Sequence, residues 1–225
     1  MLSEKSGAIG KGTLMLVGIA AMGGASVARA ADVPQQWQIR LLGSYVSIQD
    51  KVGSVRINGV PVVGADLKVD DPVIPATTIT RSLGEHFAVE LFCCIARVDV
   101  DGKGSLAGAH IARTTFFAPA LTAIYRFGTA GKVQPYVGAG GQALFFFNTD
   151  ARLVGFTDAK VDTAFGPTLQ AGIDIPVSQS FTLNVDIKKS FYSTDAKLTG
   201  GGSTVRANNI KLDPLIVSAG VGFRF

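Results

Sequence analysis

The sequence is poor in the residues that most often build metal and redox sites. Its 225 residues include two cysteines, two histidines and one tryptophan. Cys93 and Cys94 are adjacent, so in an extended strand their side chains point to opposite faces and cannot form an unstrained disulfide with each other. The histidines, His86 and His110, have no second cysteine pair to complete a metal site. We therefore predict two free thiols, no metal site and no cofactor.

Long hydrophobic segments are also missing. Outside residues 14–22, no stretch approaches the roughly 18 continuous apolar residues of a transmembrane helix. That one run follows two lysines and precedes a small-residue Ala-Arg-Ala site that ends at Ala30, an arrangement typical of a secretory signal. We predict a signal peptide over residues 1–30 and one mature domain over residues 31–225, a length that suits a single domain.

Charge is scarce and balanced. Charged residues make up 17% of the chain, and the net charge of +4 falls to +2 when Lys5, Lys11, Arg29 and Glu4 leave with the signal segment. The sequence contains no stripe of basic residues with interleaved aromatics, which is the usual mark of a nucleic-acid surface. We predict no nucleic-acid partner.

The sequence does show strict alternation at its carboxy-terminal end. In residues 215–225 every odd position is apolar, ending in Phe223 and Phe225, and the even positions after Ile216 are small or charged. A period of two is that of a β-strand. The chain is 47% apolar with a mean hydropathy of +0.33, so its apolarity is spread over alternate residues, as in a membrane β-barrel. In lipid, only a closed barrel pairs all the backbone groups of its strands.

A soluble barrel of the lipocalin type would alternate in the same way, with its apolar face inward. The other face of this chain is rich in alanine and glycine, including Gly138, Gly140, Gly172 and Gly220. Small residues suit the narrow lumen of eight strands, whereas a water-facing surface is richer in lysine and glutamate. We therefore predict an all-β fold, an eight-stranded antiparallel transmembrane barrel.

The alternation predicts where the eight strands lie. They are placed at residues 37–48, 76–83, 87–98, 113–127, 133–148, 161–175, 181–194 and 210–225. Short connections at 84–86, 128–132 and 176–180 alternate with long ones at 49–75, 99–112, 149–160 and 195–209. Bacterial outer-membrane barrels pair short periplasmic turns with long external loops, so we expect an integral outer-membrane protein with both termini in the periplasm.

Six segments resemble, in order, those of the OmpW family of outer-membrane proteins. They are FAVEL at 87–91, PAL at 119–121, QPYVGAG at 134–140, LQAGID at 169–174, LNVD at 183–186 and the stretch from Asp213 to Phe225. The resemblance implies an eight-stranded barrel associated with uptake of small hydrophobic molecules, which leave sideways into the bilayer. It implies outer-membrane lipid and the outer-membrane assembly machinery as partners, since Val221, Phe223 and Phe225 resemble the assembly signal.

The even positions near the short turns carry charges of both signs. They are Arg40, Glu90, Arg126, Asp174, Asp186 and Arg224. Because buried charges need partners, we predict a salt-bridged polar plug across the lumen that is structural rather than catalytic.

Even positions farther from the short turns are apolar. They are Leu42, Val46, Phe92, Phe116, Leu144 and Phe146. These residues predict either an apolar ligand pocket that opens outward or a packed core that fills the barrel. With a pocket, the chain facilitates diffusion of small hydrophobic solutes, because eight strands are too few for a wide aqueous pore. With a packed core, it is a non-transporting structural, stress or adhesion barrel that acts through its external loops.

An enzyme is the third hypothesis. A hydrolase or acyltransferase needs a histidine positioned with a serine or carboxylate at the membrane face. His110 near Ser105 is the one candidate pair in the sequence, and both residues fall in a predicted external loop. We therefore predict no catalytic residues.

Overall fold

The computed structural model describes residues 36–128 and 132–225. The predicted signal segment, residues 1–30, and the middle of the predicted turn at 128–132 lie outside the described residues. The described elements are all strands: β1 (Trp37–Ile57), β2 (Val60–Pro61), β3 (Ala65–Val69), β4 (Val73–Ser82), β5 (Phe87–Gly104), β6 (His110–Phe117), β7 (Ala120–Arg126), β8 (Gln134–Ala151), β9 (Asp158–Val161), β10 (Ala164–Pro176), β11 (Phe181–Ser190), β12 (Ser193–Gly200) and β13 (Ser203–Arg224).

The strands close into a ring of antiparallel neighbours. The order is β1, β4, β5, β6 with β7, β8, β10, β11 with β12, and β13, which pairs again with β1. Since β6 and β7 form one barrel strand and β11 and β12 another, the described residues build eight barrel strands. The closing ladder runs from Gln38 opposite Arg224 to Ile57 opposite Val205. The predicted eight-stranded antiparallel barrel is confirmed.

The two ends of the barrel differ. Three short connections and the two ends of the ring, Trp37 and Phe225, lie at one end, which we call the short-turn end. There the backbone amide of Trp37 donates to Phe225 at 3.0 Å and that of Phe225 donates to Trp37 at 2.9 Å, which closes the ring. At the other end, the extended end, the strands continue well beyond the predicted limits, and β1 and β13 reach 21 and 22 residues.

The long connections predicted at this end contain more strand than the sequence pattern indicates. Much of residues 49–75 and 195–209 is strand, and Gly200, Gly201 and Gly202 belong to a tight hairpin between β12 and β13. Gly201 and Gly202 both have positive φ there, as a two-residue turn of type I′ requires. The alternation of inward and outward side chains changes phase within the long strands. Asn148 of β8 and Asn209 of β13 adopt positive φ, and each lies at a register shift against a neighbouring strand, which marks a β-bulge. A sequence pattern that keeps one phase therefore ends at these residues.

The side chains of the barrel strands sort into two faces. Between the short-turn end and the bulges, odd positions such as Leu41, Leu183 and Val217 are exposed on the outside, whereas even positions are buried in the lumen. Exposed aromatic side chains flank the outer band, with Trp37, Phe87, Tyr125, Phe181, Phe223 and Phe225 at the short-turn end and Tyr45, Phe145, Phe165 and Phe191 at the extended end. Aromatic girdles of this kind mark the two interfaces of a membrane barrel.

Cys93 is half-buried on the outer face and Cys94 is buried on the inner face, and both are free thiols. This is the arrangement that their adjacency predicts. No helix within residues 36–128 and 132–225 is long and apolar enough to cross a membrane.

Candidate functional site: a luminal cavity above a buried ionic network

Arg40, on β1, lies at the centre of the polar network in the lumen near the short-turn end. Its side chain is 1% exposed, and it meets Asp174 of β10 in a bidentate pair, with Nη2–Oδ2 at 2.7 Å and Nε–Oδ1 at 3.2 Å. Its Nη1 forms an ion pair with Glu90 of β5 and donates to the Thr80 hydroxyl at 3.1 Å. Bidentate, charge-assisted bonds are among the strongest polar contacts in proteins, so Arg40 ties three barrel strands together across the lumen.

Lys188, on β11, forms the second centre. Its Nζ lies 2.6 Å from Asp186 Oδ1 and 3.0 Å from Glu90 Oε1, and it sits 5.3 Å from the centre of the Phe92 ring. The Tyr136 hydroxyl donates to Asp186 Oδ2 at 2.7 Å. Lys188 has the inward parity of its strand and joins the two predicted acids, although the prediction did not include it in the plug.

The remaining two predicted plug residues lie nearer the short-turn end. Arg224 Nη2 lies 3.6 Å from Asp174 Oδ2 and donates to Gln134 Oε1 at 3.1 Å. Arg126 Nη1 donates to the Ser82 hydroxyl at 2.8 Å, and within the described residues its Nε has no hydrogen-bond partner and no carboxylate pairs with it within 4.0 Å. The structure therefore brings five of the six predicted plug residues into one network and places Arg126 beside it.

Above this network, toward the extended end, the lumen contains an apolar cavity. The cavity volume is about 120 Å³. A cavity that holds one water needs roughly 10–15 Å³, so this one has room for several waters or one small apolar molecule. The lumen is thus open at this level rather than fully packed.

Four of the six predicted pocket residues line the cavity: Val46, Phe116, Leu144 and Phe146. Leu42 and Phe92 do not line it. Both are buried in the adjoining apolar core, and the Phe92 ring lies over Lys188 at the boundary with the ionic network.

Much of the cavity wall was missed by the sequence prediction. Val55, Leu67, Leu198, Val205 and Ala207 line it, and all lie in segments predicted as external loops. Val205 is an odd residue that points inward, because the bulge at Asn209 inverts the parity of β13 beyond that point. The asparagine in the middle of an alternating segment was the one local signal of this change.

His110 and Ser105, the candidate pair of the enzyme hypothesis, do not pair. His110 Nδ1 lies 2.8 Å from Asp101 Oδ1, not against Ser105, and its side chain is 82% exposed. Nearby, above the outer apolar band, Arg113 forms a bidentate pair with Asp99, and this hydrogen bonding holds the pKa of Asp99 below its ordinary value. Among the described residues, no group of three or more histidine, cysteine, aspartate or glutamate side chains is placed to hold a metal ion.

The sequence profile of the OmpW family matches residues 36–225. The chain belongs to the OmpW family. The outer-membrane protein y4mB of Sinorhizobium fredii is 34% identical over 189 residues, which cover 84% of this chain and 80% of y4mB. The dibenzothiophene metabolism operon protein PahQ of Pseudomonas aeruginosa is 30% identical over 191 residues, covering 84% of this chain and 88% of PahQ.

The fold agrees with that of a solved outer-membrane protein. The outer-membrane protein OprG of Pseudomonas aeruginosa superposes with a TM-score of 0.76 at 24% identity, covering 84% of this chain and 95% of OprG. This OmpW-family chain is therefore an integral outer-membrane β-barrel in contact with membrane lipid. Its short-turn end faces the periplasm, as the alternation of connection lengths predicts.

Proposed function

We propose that this OmpW-family barrel facilitates entry of small hydrophobic molecules into the outer membrane. The observation that carries the proposal is the apolar cavity at the extended, external end of the lumen, which lies above a buried ionic network. Transfer of an apolar solute from water into such a cavity lowers the free energy, because apolar surface is removed from solvent. The relative PahQ is named for an operon of dibenzothiophene metabolism, and dibenzothiophene is an apolar aromatic compound.

The ionic network supports a path that does not run through the barrel. Arg40 forms ion pairs with both Glu90 and Asp174, and all three side chains are at most 1% exposed. A solute that continued downward would separate these ions in a low-dielectric interior, at a cost of several kcal/mol. A solute in the cavity is therefore blocked from the periplasmic end and requires another exit.

The barrel wall has fewer backbone hydrogen bonds beside the cavity floor. Pro167 of β10 lies opposite Gly141 of β8, and the Pro119 carbonyl, between β6 and β7, accepts from the Ala143 amide at 2.9 Å. Neither proline supplies an N–H to the sheet: Pro119 leaves out one ladder bond to β8, and Pro167, whose carbonyl accepts from the Phe191 amide at 3.0 Å, leaves out one on the side of β11 and β12. Gln142, between Gly141 and Ala143, lines the cavity. We infer that a solute leaves sideways into the bilayer here, as the family resemblance implies.

The test is uptake of a panel of apolar solutes, including an alkane and dibenzothiophene, across an outer membrane or into proteoliposomes. Phe146→Asp places an unpaired charge on the cavity wall and should reduce uptake at least several-fold. Val154→Asp adds the same charge at an exposed external position and should leave uptake unchanged. Folded barrel is measured in parallel by its heat-modifiable electrophoretic mobility.

Uptake equal to that of membranes without the protein would contradict the proposal and favour a non-transporting barrel that acts through its external end. Normal uptake by a folded Phe146→Asp variant would remove the cavity from the path.

A further inference from the structure

Tyr192 places a hydroxyl in a cavity that is otherwise almost wholly apolar. The residue lies between β11 and β12, is 8% exposed and lines the cavity. Its barrel strand stands opposite β5 in the ring of eight, and Cys94 of β5 lines the same cavity. Gln142 and Pro214 line the cavity as well, so Tyr192 shares the cavity floor with residues of several strands.

The Tyr192 hydroxyl is uncommitted. Within residues 36–128 and 132–225 it has no hydrogen-bond partner. The hydroxyl oxygen is accessible to solvent, unlike the buried polar atoms that lack a partner, so it faces the cavity. The other uncharged polar side chains of the cavity wall already have hydrogen bonds from the protein: Thr114, Thr149, Gln142 and Thr194. Lys160 also lies on the wall, but it is largely exposed and 3.8 Å from Asp162. Tyr192 therefore supplies the free donor at the floor.

We propose that Tyr192 selects, among apolar ligands, those that carry one hydrogen-bond acceptor, such as a carbonyl, an ether oxygen or a ring nitrogen. The apolar body of the ligand fills the cavity and the acceptor meets the hydroxyl at the floor. A ligand that fills the cavity buries the hydroxyl, and burial without a hydrogen-bond partner costs free energy. An acceptor on the ligand removes this cost, whereas a pure hydrocarbon does not. The inference rests on the proposed function and narrows its substrate class.

The experiment compares quinoline with naphthalene, which share a shape and differ by one ring nitrogen. Equilibrium binding to the full barrel in lipid nanodiscs is measured at neutral pH for the wild type, Tyr192→Phe and Tyr45→Phe. The wild type should prefer quinoline, and Tyr192→Phe should lower this preference about three- to tenfold, the worth of one net hydrogen bond. Tyr45→Phe removes a hydroxyl from the outer face and should change nothing.

The outcomes separate the two proposals. An unchanged preference in Tyr192→Phe, with both compounds still bound, overturns the role of Tyr192 and leaves the uptake function intact. Binding of neither compound by the wild type overturns both. If Tyr192→Phe fails to fold, a series of quinolines of graded basicity on the wild type decides, since affinity must rise with acceptor strength and a flat series refutes the inference.

Discussion

Neutralising Glu90 should destabilise the barrel strongly although the change keeps the shape of the side chain. Glu90 is completely buried, forms ion pairs with Arg40 and with Lys188 at 3.0 Å, and accepts from the Thr80 hydroxyl at 3.2 Å. In Glu90→Gln, Arg40 keeps Asp174 and Lys188 keeps its other acid, so neither cation is left alone. Removing one partner from a buried pair costs about 3–5 kcal/mol, and we expect the lower end of that range.

Asp99→Asn is the matched control, because Asp99 is on the same strand and also pairs with an arginine. Its pair with Arg113 lies at the external end with both side chains more than one third exposed, so water and salt already screen it. The urea midpoint of this variant should lie close to that of the wild type. Burial is then the main difference between the two substitutions.

The assay is urea unfolding in lipid vesicles, followed by the fluorescence of Trp37, the one tryptophan of the chain, and by heat-modifiable mobility. With a urea slope of about 1–3 kcal/mol per molar, a loss of 3 kcal/mol lowers the midpoint by about 1–3 M. If Glu90→Gln shifts the midpoint no further than Asp99→Asn, the argument from burial is refuted.

Three further substitutions test the lipid face, the close packing of the lumen and assembly. Val217→Arg should destabilise the inserted barrel by about 2–4 kcal/mol near the membrane midplane, with Val217→Leu as the neutral control in the same unfolding assay. Gly172→Ala drives a methyl group into the Tyr136 ring and should cost about 1–3 kcal/mol, whereas Gly141→Ala meets only an ordinary contact at 3.8 Å and should be tolerated; equal stability would contradict the packing. Deleting Phe225 should lower the yield of folded barrel in outer-membrane fractions without reducing export, and an unchanged yield would remove it from the assembly signal.

The sequence alone determined the class of fold, and the physical reason is local. A strand with one face in lipid and the other in a narrow lumen must alternate apolar with small or polar side chains. The alternation from Leu215 to Phe225 and in similar segments therefore predicts a membrane barrel without knowledge of any tertiary contact. The same parity assigned Arg40, Glu90, Asp174 and Asp186 to the lumen. A charge there requires partners, so a connected network followed from burial.

Partner choice in that network depended on tertiary structure. Lys188 joins Asp186 and Glu90, while Arg126 remains outside the ion pairs, because the ladder register and the barrel's stagger set which inward side chains face each other across the lumen. Strand parity fixes the face of a residue and not its neighbour on the opposite wall.

The cavity also required the three-dimensional structure. Bulges at Asn148 and Asn209 invert the parity of β8 and β13, so Val205 points inward from a segment that reads as a loop. Whether Phe116 and Phe146 fill the lumen or line an opening depends on how far apart the walls stand, which is a property of the closed ring and of no single strand. The Tyr192 hydroxyl, which has no hydrogen-bond partner within residues 36–128 and 132–225, is a result of the same kind, because the lack of a partner follows from the positions of the neighbouring side chains.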